Sequence, residues 1–159
     1  MTSHIQRMHM HKRRNTGFSL IELVIVMLVV SILVGIALPS YTQHVTKTRR
    51  AAAEACLSTY ANYMERFYAT NMAYDKDSTG TDIVLPGLDC ATAANTGQYY
   101  DYALDTTAVT TTSTYKLLAT PRDGSAQQKN DTKCGTLSIN QTGSRGKTGT
   151  GSLTDCWPH

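Results

Sequence analysis

Residues 18–38 form a run of 21 residues in which Glu22 is the only charge. A helix of that length covers about 32 Å, enough for the hydrocarbon core of a bilayer. The pattern then changes. Ala53, Leu57, Tyr60, Met64 and Phe67, with Tyr68 beside them, recur at spacings of four and three, while Glu54, Asn62, Glu65 and Arg66 fall off that stripe. This is one apolar face of an amphipathic helix. Both patterns together predict a helix over residues 18–69, about 78 Å long, apolar all round in its first half and one-faced in its second. Gly35 and Pro39 mark the place where it should bend or melt, because proline lacks the N–H that would bond the Gly35 carbonyl and glycine is a poor helix former.

After the helix the pattern changes again. Residues 98–104, 114–120 and 135–140 are short runs rich in Tyr, Thr, Leu and Ile, predicted as strands of a small antiparallel sheet packed on the apolar stripe. Residues 71–97 read as a long connection with a turn at Pro86-Gly87. Residues 141–152, with Gly143, Gly146, Gly149 and Gly151, read as a flexible loop. The expected fold class is α+β, a long N-terminal helix on a small antiparallel sheet, with no internal repeat.

An acidic residue inside an apolar span is expensive, which makes Glu22 a functional candidate in need of a cationic partner. The segment itself supplies no cation. Arg7, Lys12, Arg13 and Arg14 precede it with no acidic residue among them, so this flank is expected to stay cytoplasmic. Cleavage after Gly17 would give Phe18 a free amine of the required charge. A cleavable secretory signal fits less well, because its apolar core is shorter.

Gly17 followed by Phe18-Ser19-Leu20-Ile21-Glu22-Leu23 and the apolar run resembles the N-terminus of type IV pilins and pseudopilins. The resemblance implies cleavage by a prepilin peptidase between Gly17 and Phe18 and N-methylation of Phe18. It also implies that Glu22 pairs with the Phe18 amine of a neighbouring subunit and that helicity can be lost near Gly35 and Pro39 in the assembled filament. The expected organisation is a basic leader over residues 1–17, a transmembrane and filament-core segment over 18–39, and an exported domain over 40–159. The leader is long for this family, and Met8 or Met10 would serve as starts in place of Met1.

Removing the leader changes the charge balance. The chain carries 15 Lys and Arg against 12 Asp and Glu; without the leader's four cations it has 11 against 12, a net −1. Residues 69–115 then hold six Asp and only Lys76, and residues 116–159 hold Lys116, Arg122, Lys129, Lys133, Arg145 and Lys147 against three Asp. The basic block is a candidate DNA-contacting set, weighed against a solvated surface.

Cys56, Cys90, Cys134 and Cys156 all lie on the exported side, where disulfides form. Four cysteines allow three pairings. The sequential one, Cys56 with Cys90 and Cys134 with Cys156, would staple the helix to its connection and close the C-terminal loop, each bridge contributing about 3 to 4 kcal/mol. No two cysteines are close enough for a zinc knuckle. Lys133-Cys134-Gly135-Thr136-Leu137-Ser138-Ile139 with Asp155-Cys156-Trp157 also resembles the C-terminal part of PilE-like minor pilins, which implies a disulfide-bounded loop there.

Asp75-Lys76-Asp77-Ser78-Thr79-Gly80 imitates half of a calcium loop, but Pro86 stands where a bidentate glutamate is needed, so no metal is expected and the segment reads as a turn. Past the leader only His44 and His159 carry imidazoles, and no nucleophile elbow, phosphate loop or zinc-protease helix is present. Neither enzyme activity nor a cofactor is expected. The resemblance implies a structural pilus subunit, minor by its C-terminal likeness. It would reside in the bacterial inner membrane and then in a surface filament for adhesion, twitching motility or DNA uptake. Its partners would be other pilins, the prepilin peptidase and the inner-membrane assembly machinery. A type II secretion pseudopilin and a DNA-uptake pilin, with nucleic acid as a further partner, are the alternatives.

Overall fold

The computed structural model describes Gly17, residues 19–108 and residues 110–157. Residues 1–16 of the leader, Phe18 and His159 lie outside the described residues, and with them the expectations placed there. The chain divides between Leu38 and Pro39 into two units.

Helix α1 runs from Leu20 to Asn71. In the first unit it buries nothing: every residue from 20 to 38 is exposed, Leu20 at 86% and Leu28 at 60%. Its one hydroxyl is satisfied internally, Ser31 Oγ donating to the Met27 carbonyl at 2.7 Å. A helix apolar on all sides needs a bilayer or a bundle to cover it. The backbone stays helical through Gly35 and Pro39, so the break expected there is absent from the isolated chain. Proline removes a single N–H, and the flanking turns keep theirs.

In the second unit α1 buries Thr46, Arg50, Ala53, Cys56, Leu57, Tyr60 and Met64, a stripe at spacings of three and four. The helix stops at Met72, a left-handed residue with φ +56°, whose N–H bonds the Tyr68 carbonyl at 2.7 Å while Asn71 Nδ2 donates to the Phe67 carbonyl. Against the stripe lies a four-stranded antiparallel meander in the order β1-β2-β3-β4: Tyr100–Leu104, Lys116–Pro121, Leu137–Asn140 and Arg145–Lys147. Alternate residues face the helix. Tyr102 opposes Ala119, Leu104 opposes Leu117, and Leu117 and Ala119 oppose Ile139 and Leu137. Leu57, Met64, Leu117 and Leu137 are wholly buried, each contributing about 1.5 to 3 kcal/mol by removal from water.

Two short helices punctuate the sheet, α2 at Ala126–Asn130 and α3 at Leu153–Cys156. Each is capped by a serine side chain: Ser125 accepts from the Gln128 N–H and Ser152 from the Asp155 N–H. Residues 141–152, expected as a flexible loop, instead contain β4 and are tied down throughout. Asn140 Oδ1 accepts from Thr142 and Ser144 N–H across a turn that needs Gly143 at φ +72°. Gly149 packs so close to the Lys133 carbonyl that a Cβ would collide with it. The glycines there serve a left-handed turn at Gly143 and close approach at Gly146, Gly149 and Gly151 rather than mobility.

Candidate functional site

Two places in the molecule carry chemistry that the fold alone does not use. Glu22 sits in the first turn of α1, where a carboxylate complements the helix dipole. It is exposed, and it forms no ion pair with another described residue.

The second unit holds the candidate DNA-contacting cations, which the fold separates into two groups. Lys116 opens β2, and its ammonium lies 2.9 Å from Asp105, whose carboxyl is held well below the usual range by the Thr107 hydroxyl and then by Lys116 itself. Arg122 lies 2.7 Å from Asp101, across the β1–β2 pair. Both cations are therefore already countered. Lys129 in the last turn of α2, Lys133, Arg145 and Lys147 have no salt bridge to any described residue. Lys147 Nζ donates to the Gly149 carbonyl at 2.6 Å, and the Arg145 guanidinium lies 5.1 Å from the centre of the Trp157 ring. Lys133, Arg145 and Lys147 belong to the segment around Cys134 and Cys156, which are disulfide-bonded. Cys56 is bonded to Cys90 and joins α1 to the connection that follows it.

Beneath this basic segment is a buried polar network that spacing along the chain does not reveal. Asp131, 3% exposed, follows α2, and its Oδ2 accepts from Gln127 Nε2 at 2.9 Å and from the Tyr100 hydroxyl at 3.3 Å. Arg50 approaches the same oxygen at 3.3 Å from the helix side. Burial pushes the Asp131 carboxyl up, against the pull of Arg50, Gln127 and Tyr100. Gln127 Nε2 also donates to the Thr46 carbonyl at 3.2 Å, so the network fastens α2 to α1. Half a turn past Asp131, the Cys134 N–H and Gly135 N–H bond its carbonyl, which fixes where the C-terminal disulfide loop starts.

Glu54 stands one turn beyond Arg50. Burial raises its pKa from the usual 4.5 to about 7, opposed by Arg50 and Arg145 and reinforced by Asp131. The calcium-like segment is tied together by its own side chains and backbone. Asp77 Oδ1 accepts from the Thr79 N–H at 2.8 Å, the Thr79 hydroxyl at 2.6 Å and the Thr81 N–H at 2.9 Å, and Lys76 holds Asp82 at 2.8 Å. Among the described residues no group of His, Cys, Asp and Glu is placed to hold a metal ion.

Lys47 and Arg50 were not among the candidate cations, because they lie on α1 and far from the basic block in sequence. They line a cleft that also includes Lys133. The only signal for Arg50 is its position on the buried stripe, four residues after Thr46 and three before Ala53.

A family model described as "Type IV minor pilin ComP, DNA uptake sequence receptor" matches residues 39–138. A second, described as the prokaryotic N-terminal methylation motif, matches residues 12–38. Among solved structures, the non-core minor pilin PilV of Neisseria meningitidis aligns with a TM-score of 0.46 and 19% identity, over 69% of this chain and 92% of its own. A type IV pilin from Shewanella oneidensis aligns with a TM-score of 0.44 and 25% identity, over 72% of this chain and 99% of its own. No curated protein matches. Of the four cations without salt bridges, Lys129 and Lys133 lie inside the residues of the first match, and Arg145 and Lys147 lie beyond its end.

Proposed function

The chain belongs to the type IV minor pilin family of ComP, and from that premise we propose that it joins the pilus through its N-terminal helix and offers its exported domain to DNA. It is a minor pilin, anchored in the inner membrane by the apolar part of α1 and later incorporated into the pilus. Its relatives by family are structural proteins, and its mechanism is assembly rather than catalysis.

The observation that carries the assembly reading is the methylation motif over residues 12–38, which coincides with a wholly exposed apolar helix whose only charge is Glu22. Processing between Gly17 and Phe18 leaves a methylated Phe18 amine, and Glu22 neutralises that amine on a neighbouring subunit. The exposed side chains of residues 20–38 find their cover in the helices around them, and Gly35 and Pro39 mark where helicity can be lost once they pack. The domain boundaries that follow are 1–17, 18–39 and 40–159. Intact-mass measurement of the protein in sheared pili is expected to give a chain starting at a methylated Phe18. A chain starting at Met1, Met8 or Met10, or beyond Leu38, overturns this processing.

The second reading is carried by the match over residues 39–138 to a family described as a DNA uptake sequence receptor. Within the basic block, Lys129, Lys133, Arg145 and Lys147 have no salt bridge to a described residue and are free to release counterions from phosphates. Binding of duplex DNA by the exported domain is expected to weaken steeply with salt. Lys129→Ala and Lys133→Ala should each lower the slope of log affinity against log salt by about 1. Lys116→Ala and Arg122→Ala should leave it nearly unchanged. Salt-independent binding, or no binding, removes the DNA reading and leaves the pilin one intact.

A further inference from the structure

The exported domain has a cleft of about 520 Å3 between α1 and the turn that leads from α2 into β3. Thr46, Lys47 and Arg50 line it from the helix, and Asp131, Lys133 and Asp155 from the other side. Arg50 is 7% exposed and its guanidinium is held in place. Nε faces Asp131 Oδ2 at 3.3 Å without completing a hydrogen bond, and Nη1 donates to the Asp155 carbonyl at 3.1 Å and to Cys134 Sγ. Among the described residues Nη2 has no hydrogen-bond partner and is left to the cleft. Lys47 and Lys133 stand exposed at the rim. The charges sum to Lys47, Arg50 and Lys133 against Asp131 and Asp155, three minus two, or +1.

A planar guanidinium fixed in one orientation, with two N–H groups unspent and ammonium groups at the mouth, is built for an oxyanion. The depth of the site selects the kind. Arg50 is only 7% exposed, and a slender group such as an Asp or Glu side chain suits so narrow an access. This subunit is incorporated among other pilins, so their surfaces are what the cleft would meet. We propose that the cleft receives an acidic side chain of a neighbouring pilin subunit, seated on Arg50 and steered by Lys47 and Lys133, so that the exported domain takes part in choosing its neighbour.

Arg50→Gln would also strand Asp131 as a buried unpaired charge and weaken the fold, so the test uses the rim. In cells making the full chain, the Lys47→Glu/Lys133→Glu double variant is expected to reach the membrane at normal levels yet fall at least about tenfold in sheared pili. A photocrosslinking residue at Thr132, exposed and lining the cleft, should join the otherwise unchanged chain to another pilin at a peptide carrying Asp or Glu. Reversing that acid to Lys should restore the double variant. Normal incorporation of the double variant overturns the proposal, as does a crosslink to DNA alone, or none to a pilin. Should the double variant fail to accumulate in the membrane, the crosslink decides by itself.

Discussion

Residues 20–38 and 39–71 are consecutive stretches of one helix with opposite relations to the rest of the chain. The first buries no residue; the second buries seven, from Thr46 to Met64, against a sheet supplied by the same polypeptide. Helical periodicity is present in both, so backbone structure does not distinguish them. What differs is where the covering surface comes from. The exported domain brings its own in β1 to β4 and two disulfides, and is stable in so far as its core is complete. Among the described residues nothing covers the first half, and Glu22 is its only charge. On the reading proposed above, the first half exchanges a bilayer for neighbouring helices while the second keeps the core it carries itself.

The largest effect is expected from the smallest change to the uncovered half. Glu22→Ala removes an acidic group that insertion makes expensive, so membrane levels should hold or rise, while recovery in sheared pili should fall at least about tenfold. Normal incorporation would show that the apolar surface alone suffices for assembly. Leu57→Ala probes the other half. In a fragment beginning after Pro39, urea unfolding should show a loss of about 2 to 5 kcal/mol, since Leu57 is wholly buried. Leu28→Ala in the full chain should leave the unfolding of the exported domain where it was, because Leu28 is 60% exposed and belongs to no buried core. A comparable loss in both variants would erase the contrast between the halves.

A smaller effect sharpens the description of the covered half. The pKa of Glu54 is raised to about 7 in the folded chain, first by burial, so the folded state holds this proton more tightly than the unfolded one. Its contribution to stability is complete below the usual value of 4.5 and is lost as the pH climbs through about 7. Glu54→Gln should therefore be more stable than the parent above pH 7, by on the order of 1 kcal/mol given the partial exposure of the side chain. The two should converge below pH 4.5. Parallel stability curves across that range would show that Glu54 titrates normally.

The elements read most easily from the sequence are those whose signal is local. The α1 stripe was legible because Ala53, Leu57, Tyr60 and Met64 repeat with the helical period, and β1, β2 and β3 because Tyr, Thr, Leu and Ile cluster between turns. β4 was not. Arg145-Gly146-Lys147 has no strand propensity; the segment is a strand because it pairs with β3 and because Trp157 Nε1 donates to the Gly146 carbonyl at 3.0 Å. The six cations of the basic block were likewise visible as a list, but their availability was not. Arg122 meets Asp101 and Lys116 meets Asp105 only when the β1–β2 pair has formed.

The sequence by itself determined where the chain is apolar on every side, where it is apolar on one, and that a single carboxylate interrupts the first of these, since side-chain hydropathy and helical period act over a few residues. Tertiary structure decided which charges face one another. Arg50 precedes the apolar stripe by one turn, yet its role depends on Asp131 and Asp155, 81 and 105 residues later in the chain. Electrostatic partnership depends on distance in space, and only the packing of α2 and the disulfide loop onto α1 sets that distance.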